Sequence, residues 1–400
     1  MTTLIIDDDP FTLKLLTRQL TTLGVEDIHC FEGAEAALSF LPGIMAATTL
    51  VLCDLQMPGI DGVEMLRHLG TIGYPGSLVL ISGEDERILQ TAGLLASGQA
   101  LNLLGTLHKP IATERLREML LRHHAQRPII QARASRKAYT AAELRQALAE
   151  GQITCHFQPK VCLASGRLVA VESLVRWQHP QDGLVYPDQF IPLAEEAGLI
   201  TALTEVVLAI SLRQAQAWQK QGLTLSVAVN VSMDSLVTLD FPDRIARALE
   251  ETGIPPSQLI LEVTETRLMR DRLAALDILA RLRLKRIGLS IDDFGTGHSS
   301  FAQLRDVPFT ELKIDRGFVH HAATETARRT IFEASLHAAQ ELGLKTVAEG
   351  AEDQADWDFL RASGCAMVQG FFVSRPMPGP EMPDWAAAWA QRYSTLVAGG

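Results

Sequence analysis

The stretch Ile287-Gly288-Leu289-Ser290-Ile291-Asp292-Asp293-Phe294-Gly295-Thr296-Gly297 decides how the larger part of the chain folds. Apolar residues alternate through Ile291, as a strand requires, and the run stops at two adjacent acids and a glycine-rich loop. Seven further segments follow the same plan, at 153–157, 168–174, 225–231, 259–263, 311–314, 346–348 and 367–372. Helical patterns separate most of them, at 189–197, 202–219, 241–251, 273–284 and 330–342. Eight strands with intervening helices predict a (β/α)8 barrel over residues 141–392.

Upstream, residues 1–123 carry shorter apolar runs at 4–6, 28–31, 50–53, 78–81 and 101–107. Amphipathic stretches lie between them, such as 11–23, with Leu13, Leu16 and Leu20 on one face. This alternation predicts a doubly wound, five-stranded parallel sheet covered on both faces. The polar, basic segment 124–140, with Arg127-Pro128, reads as a partly helical linker. After Pro376 the chain holds several prolines and ends in Ala-Gly-Gly, whose last residues are expected to fray.

Composition narrows the function classes. The 400 residues are 47% hydrophobic, too apolar for a disordered chain and sufficient for two cores. Lys and Arg number 36 against 47 Asp and Glu, and the net charge of −11 argues against DNA binding through broad phosphate electrostatics. Cys30, Cys53, Cys155, Cys162 and Cys365 form no CxxC and read as reduced thiols of a cytoplasmic protein. The N-terminus reaches three carboxylates by Asp9, so no signal peptide is expected. The longest apolar stretch, 199–212, contains Glu205 and is too short for membrane insertion.

Two constellations carry chemistry. In the first, Asp7 and Asp8 follow the first run, Asp54 the third, Ser82 the fourth and Lys109 the fifth. The carboxyl ends of an open parallel sheet share one edge, where ligands bind. Three converging carboxylates ask for a divalent cation. A lysine and a hydroxyl beside them can hold the oxygens of a phosphoryl group carried on a carboxylate.

The second constellation is a series of polar groups at the barrel strands: Gln158, Glu172, Asn230, Glu262, Asp292, Asp293, Lys313, Asp315, Glu349 and Gln369. Barrel enzymes place their chemistry at the carboxyl ends of the strands. The donors are hard oxygens, which suit Mg2+ or Mn2+ and not zinc. Two such ions favour phosphodiester hydrolysis, because they steady both oxygens of an in-line displacement.

Residues 1–123 resemble the receiver domain of two-component response regulators. The Asp7-Asp8 pair, Cys53-Asp54-Leu55-Gln56-Met57-Pro58 with Gly59 and Gly62, Ser82-Gly83 and Lys109-Pro110 carry the likeness in order. It implies Asp54 as phosphoacceptor. It also implies one Mg2+ held by Asp8, Asp54 and the Gln56 carbonyl, and by Asp7 through water, with Ser82 and Lys109 on the phosphoryl oxygens. Many receivers carry an aromatic three residues before the lysine; Thr106 stands there instead.

The barrel region resembles EAL-domain phosphodiesterases that cleave cyclic di-GMP. The likeness rests on Glu172-Ser173-Leu174, with Ser for the usual Ala, and on Val175-Arg176-Trp177, Gln158-Pro159, Asn230-Val231-Ser232 and Glu262-Val263-Thr264-Glu265. It continues through Asp292-Asp293-Phe294-Gly295-Thr296-Gly297, Leu312-Lys313-Ile314-Asp315, Glu349-Gly350 and Gln369-Gly370. The resemblance implies a TIM-like barrel with two Mg2+ ions. Glu172, Asn230, Glu262 and Asp292 would hold the first. Asp292 and Asp293 would hold the second, with Asp315 and Glu349 near it. Lys313 would orient the attacking water, Glu349 would act as general base, and Gln158, Arg176 and Gln369 would contact substrate. Glu265 would brace the loop after Asp293, where His298 replaces a frequent Tyr.

The expectation is therefore a phosphorylation-regulated hydrolase that converts cyclic di-GMP to linear pGpG. Its partners would be a cognate sensor histidine kinase or phosphotransfer protein and further copies of itself, as a homodimer or higher oligomer. The competing reading is a catalytically inactive cyclic di-GMP receptor that signals through protein partners. No Gly-Gly-Asp/Glu-Glu-Phe signature and no basic helix-turn-helix segment is present to suggest a cyclase or a transcription factor.

Overall fold

The computed structural model describes residues 2–44, 48–83, 86–99, 101–134, 139–232, 236, 238–264, 272–295 and 301–398. Two compact units are present, Met1–Lys137 and Ala138–Gly400.

The first unit contains β1 (Thr2–Ile6), β2 (Asp27–Phe31), β3 (Leu50–Asp54), β4 (Ser77–Ser82) and β5 (Asn102–His108), all parallel, in the order β2-β1-β3-β4-β5. Period-two alternation explains why apolar runs this short form a sheet buried on both sides. Leu4, Ile6, Val51, Cys53, Leu78 and Leu80 belong to one core. Their neighbours Ile5, Leu50, Leu52, Val79 and Ile81 belong to the other. The strands β1, β3 and β4 therefore have no solvent face, and their polar residues stand at the strand ends. The helix Thr113–Ala134 extends well into the segment read as linker.

The second unit is a closed barrel. Its strands are β6 (Ile153–Cys162), β7 (Leu168–His179), β8 (Gly183–Val185), β9 (Ser226–Asn230), β10 (Leu259–Thr264), β11 (Gly288–Phe294), β12 (Glu311–Ile314), β13 (Lys345–Glu349), β14 (Met367–Gln369) and β15 (Met377–Pro378). Eight close the ring in the order β6-β14-β13-β12-β11-β10-β9-β7, and β7 returns to β6; β8 and β15 are appended. One strand departs from the expected all-parallel plan. β6 is antiparallel to both its neighbours, β7 and β14. The reason is length: the connection 163–167 is long enough for a hairpin but too short for a parallel crossover.

Alternation also separates the barrel's interior from its shell. Leu261, Val263, Leu289, Ile291, Leu312 and Ile314 join one apolar core with Trp218, Leu282 and Phe332 from the surrounding helices. The intervening residues Glu262, Ser290, Asp292, Glu311 and Lys313 are buried and polar, and they face the barrel axis.

The turns after β13 and β14 pack backbone to backbone, with Gly350 N–H donating to Gln369 O at 2.8 Å and Phe372 N–H to Ala351 O at 2.9 Å. A Cβ on Gly370 would lie 2.2 Å from Ala351 O and 2.4 Å from Ala351 N, atoms that cannot swing aside. Overpacking of this kind costs about 1–3 kcal/mol. Gly370→Ala is expected to lower the urea midpoint of the barrel's unfolding transition and leave the receiver unit's transition in place. An unchanged barrel midpoint would contradict this packing.

Candidate active site

Pairing register assembles the barrel site. It sets Gln158 opposite Glu172, Asn230 beside Glu262, and Glu349 beside Gln369. Gln158 and Glu172 lie within their strands rather than at the ends, because β6 and β7 run on past the barrel rim. Glu172 accepts from Asn230 Nδ2 at 2.9 Å and from Gln369 Nε2 at 2.6 Å. Gln369 Nε2 also donates to Gln158 Oε1 at 2.9 Å. A cavity of about 270 Å3 opens above these groups, and its wall includes Asp292, Lys313, Glu349 and Phe371.

Lys313 stands at the centre. Its Nζ lies 2.7 Å from Glu349, 3.0 Å from Asp292, 3.1 Å from Glu262 and 3.7 Å from Glu172, with the side chain only 1% exposed. Burial works against its charge, yet the surrounding carboxylates raise its pKa well above the ordinary lysine value. Glu262 is also fully buried, and burial opposes its ionisation, but Lys160 and Lys313 hold it down at about 2. Glu349 goes the other way: burial first, then Asp292 and Glu172, outweigh Lys313 and raise it to about 8. Desolvation likewise raises Glu172, against the opposing pull of Lys313.

Adjacent residues of a regular strand point to opposite faces, so Asp292 and Asp293 should not serve one site. A bulge resolves this. The register of β11 with β12 shifts between Ile291 and Phe294, and Asp293 adopts φ 55°. The left-handed residue turns the second acid back toward the first. Donor oxygens of Asp292, Asp293 and Glu349 consequently lie within 4.8 Å of one another. Burial and the charges of Asp292 and Asp315 raise the Asp293 pKa. Asp315 is outside this three-donor group, and its Oδ1 caps the short helix Arg316–Val319 through Gly317 N–H at 2.7 Å.

Arg176 is buried. It donates from Nη1 to Val175 O at 2.8 Å and lies over the Tyr186 ring at 5.0 Å. The guanidinium at the cavity wall is that of Arg316 instead, paired with Glu352 at 2.7 Å. Gln369 Oε1 and Arg176 Nε are buried without a hydrogen-bond partner among the described residues, so each retains bonding capacity for a ligand. Glu265 and His298 lie outside the described residues.

Two residues without a role in the sequence reading sit beneath the site. Lys160, fully buried, contacts Glu262 Oε1 at 2.6 Å and Glu311 Oε1 at 3.1 Å, and Ser290 Oγ donates to the same Glu311 oxygen at 3.0 Å. The available signal was period two: Lys160 stands two residues after Gln158, and Glu311 two before Lys313.

In the first unit Lys109 Nζ bridges Asp7 Oδ2 at 2.7 Å and Asp54 Oδ2 at 2.8 Å. Desolvation raises the Asp7 pKa despite Lys109. Asp7 follows β1, whereas Asp54 and Ser82 are the last residues of β3 and β4; all three are buried. Asp8, Gln56 and Thr106 are exposed.

Both sites fit a hard divalent cation. In the receiver unit, donors of Asp7, Asp8 and Asp54 lie within 4.8 Å, and buried Asp54 Oδ1 has no hydrogen-bond partner among the described residues. In the barrel, all nearby anionic donors are carboxylates and they outnumber the ammonium groups of Lys160 and Lys313.

This fold and these sites define a receiver joined to an EAL barrel. The EAL domain family matches residues 141–376 and the response regulator receiver domain family residues 3–121. The chain belongs to the EAL-domain family. It is 31% identical over 385 residues to the cyclic di-GMP phosphodiesterase RocR of Pseudomonas aeruginosa, covering 96% of this chain and 98% of RocR. The bifunctional diguanylate cyclase/cyclic di-GMP phosphodiesterase MucR of the same organism is 44% identical over 241 residues, 60% of this chain and 35% of MucR. The solved MucR phosphodiesterase in complex with c-di-GMP superposes with a TM-score of 0.57, covering 60% of this chain and 98% of that one. Among the described residues no helix is long and apolar enough to cross a membrane.

Removing Lys160 would leave Glu262 and Glu311 buried with one cation fewer. Breaking a buried pair from one side costs about 3–5 kcal/mol. Lys160→Met is therefore expected to destabilise the barrel by that amount in urea denaturation. Adding Glu311→Gln, which removes the second stranded charge, should recover part of the loss. A single variant within about 1 kcal/mol of wild type would exclude the pairing as a structural element.

Proposed function

We propose that the chain is a two-component response regulator that hydrolyses cyclic di-GMP to linear pGpG, with its activity set by phosphorylation at Asp54. The observation that carries this reading is the convergence of Glu172, Glu262, Asp292 and Glu349 on Lys313, all but Glu262 lining the barrel cavity. Similarity to RocR along nearly the whole chain supports it.

Glu172, Asn230, Glu262 and Asp292 would hold one Mg2+ or Mn2+; Asp292 and Asp293 would hold a second, with Asp315 and Glu349 close by. When bound, such ions supply charge neutralisation and a more acidic water. Lys313 orients the attacking water and Glu349 takes its proton. The water oxygen forms the new bond to phosphorus as the bond to the 3′ oxygen breaks, and that oxygen takes a proton from solvent and leaves as a hydroxyl. Gln158, Gln369 and Arg176 bind the substrate. The unpartnered Gln369 Oε1 supports an acceptor role and the unpartnered Arg176 Nε a donor role. Glu265 steadies the loop after Asp293.

In the receiver unit one Mg2+ would be held by Asp8, Asp54 and the Gln56 carbonyl, with Asp7 acting through water. Ser82 and Lys109 would grip the phosphoryl oxygens. A sensor histidine kinase or phosphotransfer protein in the cytoplasm donates the phosphoryl group, and the protein acts as a homodimer or larger homo-oligomer.

Purified protein with cyclic di-GMP and Mg2+ is expected to yield pGpG by chromatography, at a rate that changes with acetyl phosphate. Glu172→Ala and Lys313→Ala should each lower turnover by roughly 10²-fold or more in folded protein. Asp54→Asn should retain turnover and lose the response to the phosphodonor. Binding of cyclic di-GMP with no product would sink the enzyme reading and leave a receptor.

A further inference from the structure

We infer that His320, His321 and Asp353 form a binding site for a borderline divalent transition-metal ion, zinc above all, separate from the oxygen-only group in the barrel. One ring nitrogen of each histidine and a carboxylate oxygen of Asp353 lie within 4.8 Å of one another. The two histidines follow the short helix Arg316–Val319, and Asp353 caps the helix Gln354–Ser363. Register between β12 and β13 brings the two following loops together, although the residues are more than thirty positions apart.

A third carboxylate gives this cluster its character. Asp356 is buried, and its Oδ2 lies 2.7 Å from His320 Nδ1. Its Oδ1 accepts the His321 backbone N–H at 3.0 Å, and Oδ2 also accepts Glu352 N–H at 3.0 Å. A carboxylate on Nδ1 holds the imidazole proton there and leaves the Nε2 lone pair for a metal, the arrangement that orients ligating histidines. His320 Nε2 also lies 3.9 Å from Glu352 Oε2, at the edge of the three-donor group. Asp353 uses Oδ1 to accept Asp356 N–H at 2.9 Å, and its other oxygen makes no hydrogen bond among the described residues.

Donor type selects the ion. Two imidazoles with carboxylates suit zinc, copper or nickel, and are poor ligands for magnesium or calcium. Around a tetrahedral zinc, ligand atoms stand roughly 3.3 Å apart given the usual bond lengths. His321 and Asp353 are exposed, so side-chain rotation can close the remaining distance and the ion can enter from solvent. A purely structural role accounts for the contact of His320 with Asp356. Contact with the His320 ring, centroids 3.7 Å apart, places the His321 ring, and neither contact accounts for the Asp353 carboxylate lying within 4.8 Å of a nitrogen of each ring. Glu352 gives the site a link to function, since it also pairs with Arg316 on the catalytic cavity's wall.

The test uses the full-length protein in excess Mg2+, which occupies the oxygen sites. Calorimetry with Zn2+ is expected to show one tight equivalent, and Cu2+ as a spectroscopic probe should show two coupled nitrogens by electron paramagnetic resonance. His321→Ala should remove one nitrogen. Both His321→Ala and Asp353→Ser, in which serine retains the helix cap, should weaken Zn2+ binding by roughly tenfold or more. Unchanged circular dichroism would certify that each variant is folded. Absence of binding in excess Mg2+, or unchanged Zn2+ affinity in either variant, would overturn the site.

Discussion

One ammonium group organises the barrel. Lys313 Nζ is surrounded by carboxylates from β7, β10, β11 and β13, within 3.7 Å in every case. These acids come from strands spread around the ring, and buried together without a cation they would repel and protonate. A single positive charge cannot neutralise four negative ones. Lys160 takes part of the load from below by engaging the second oxygen of Glu262 together with Glu311. The barrel axis is thus an alternating ladder of charge, and the deficit of positive charge collects at its open end. That residual negative field makes the mouth a cation site.

The two lysines also divide the acids by task. Glu262, held from both sides and driven down to about 2, is a fixed anion. Glu349, at the rim and raised to about 8, is poorly compensated. Identical side chains thereby acquire different properties from the number of lysines that reach them, two for Glu262 and one for Glu349. The backbone contributes one further device, the bulge at Asp293, without which the paired acids of β11 would face opposite sides of the sheet.

The legible parts of the sequence were those governed by local rules. Five short apolar runs in the first 123 residues and eight in the remainder became the strands of the sheet and the ring, because alternation and burial are properties of neighbouring residues. Asp54 and Ser82 at strand ends, and Glu262 and Lys313 between buried apolar residues, could be read for the same reason. What escaped the reading depends on register between distant strands. The reversed direction of β6 follows from a short connection, and β6 runs on to Cys162, which places Gln158 inside the strand rather than after it. Lys160 and Glu311 meet across 151 positions, and nothing in either segment announces the other. Arg316 and Glu352 border the cavity through loops whose contact is set by the pairing of β12 with β13.

The receiver unit repeats the same electrostatic motif with a different boundary condition. Lys109 bridges Asp7 and Asp54 at distances close to those around Lys313. Its side chain is 26% exposed, against 1% for Lys313. An open sheet edge leaves the lysine accessible, so the bridge can be exchanged for another anion's oxygens at modest desolvation cost. The closed ring leaves Lys313 no such exchange, since withdrawing it would strand several carboxylates in a dry interior. The open bridge therefore suits a group that must arrive and depart, and the enclosed one suits a fixed charge against which other groups react. Closure of the sheet, rather than any difference in residue type, separates the two kinds of site.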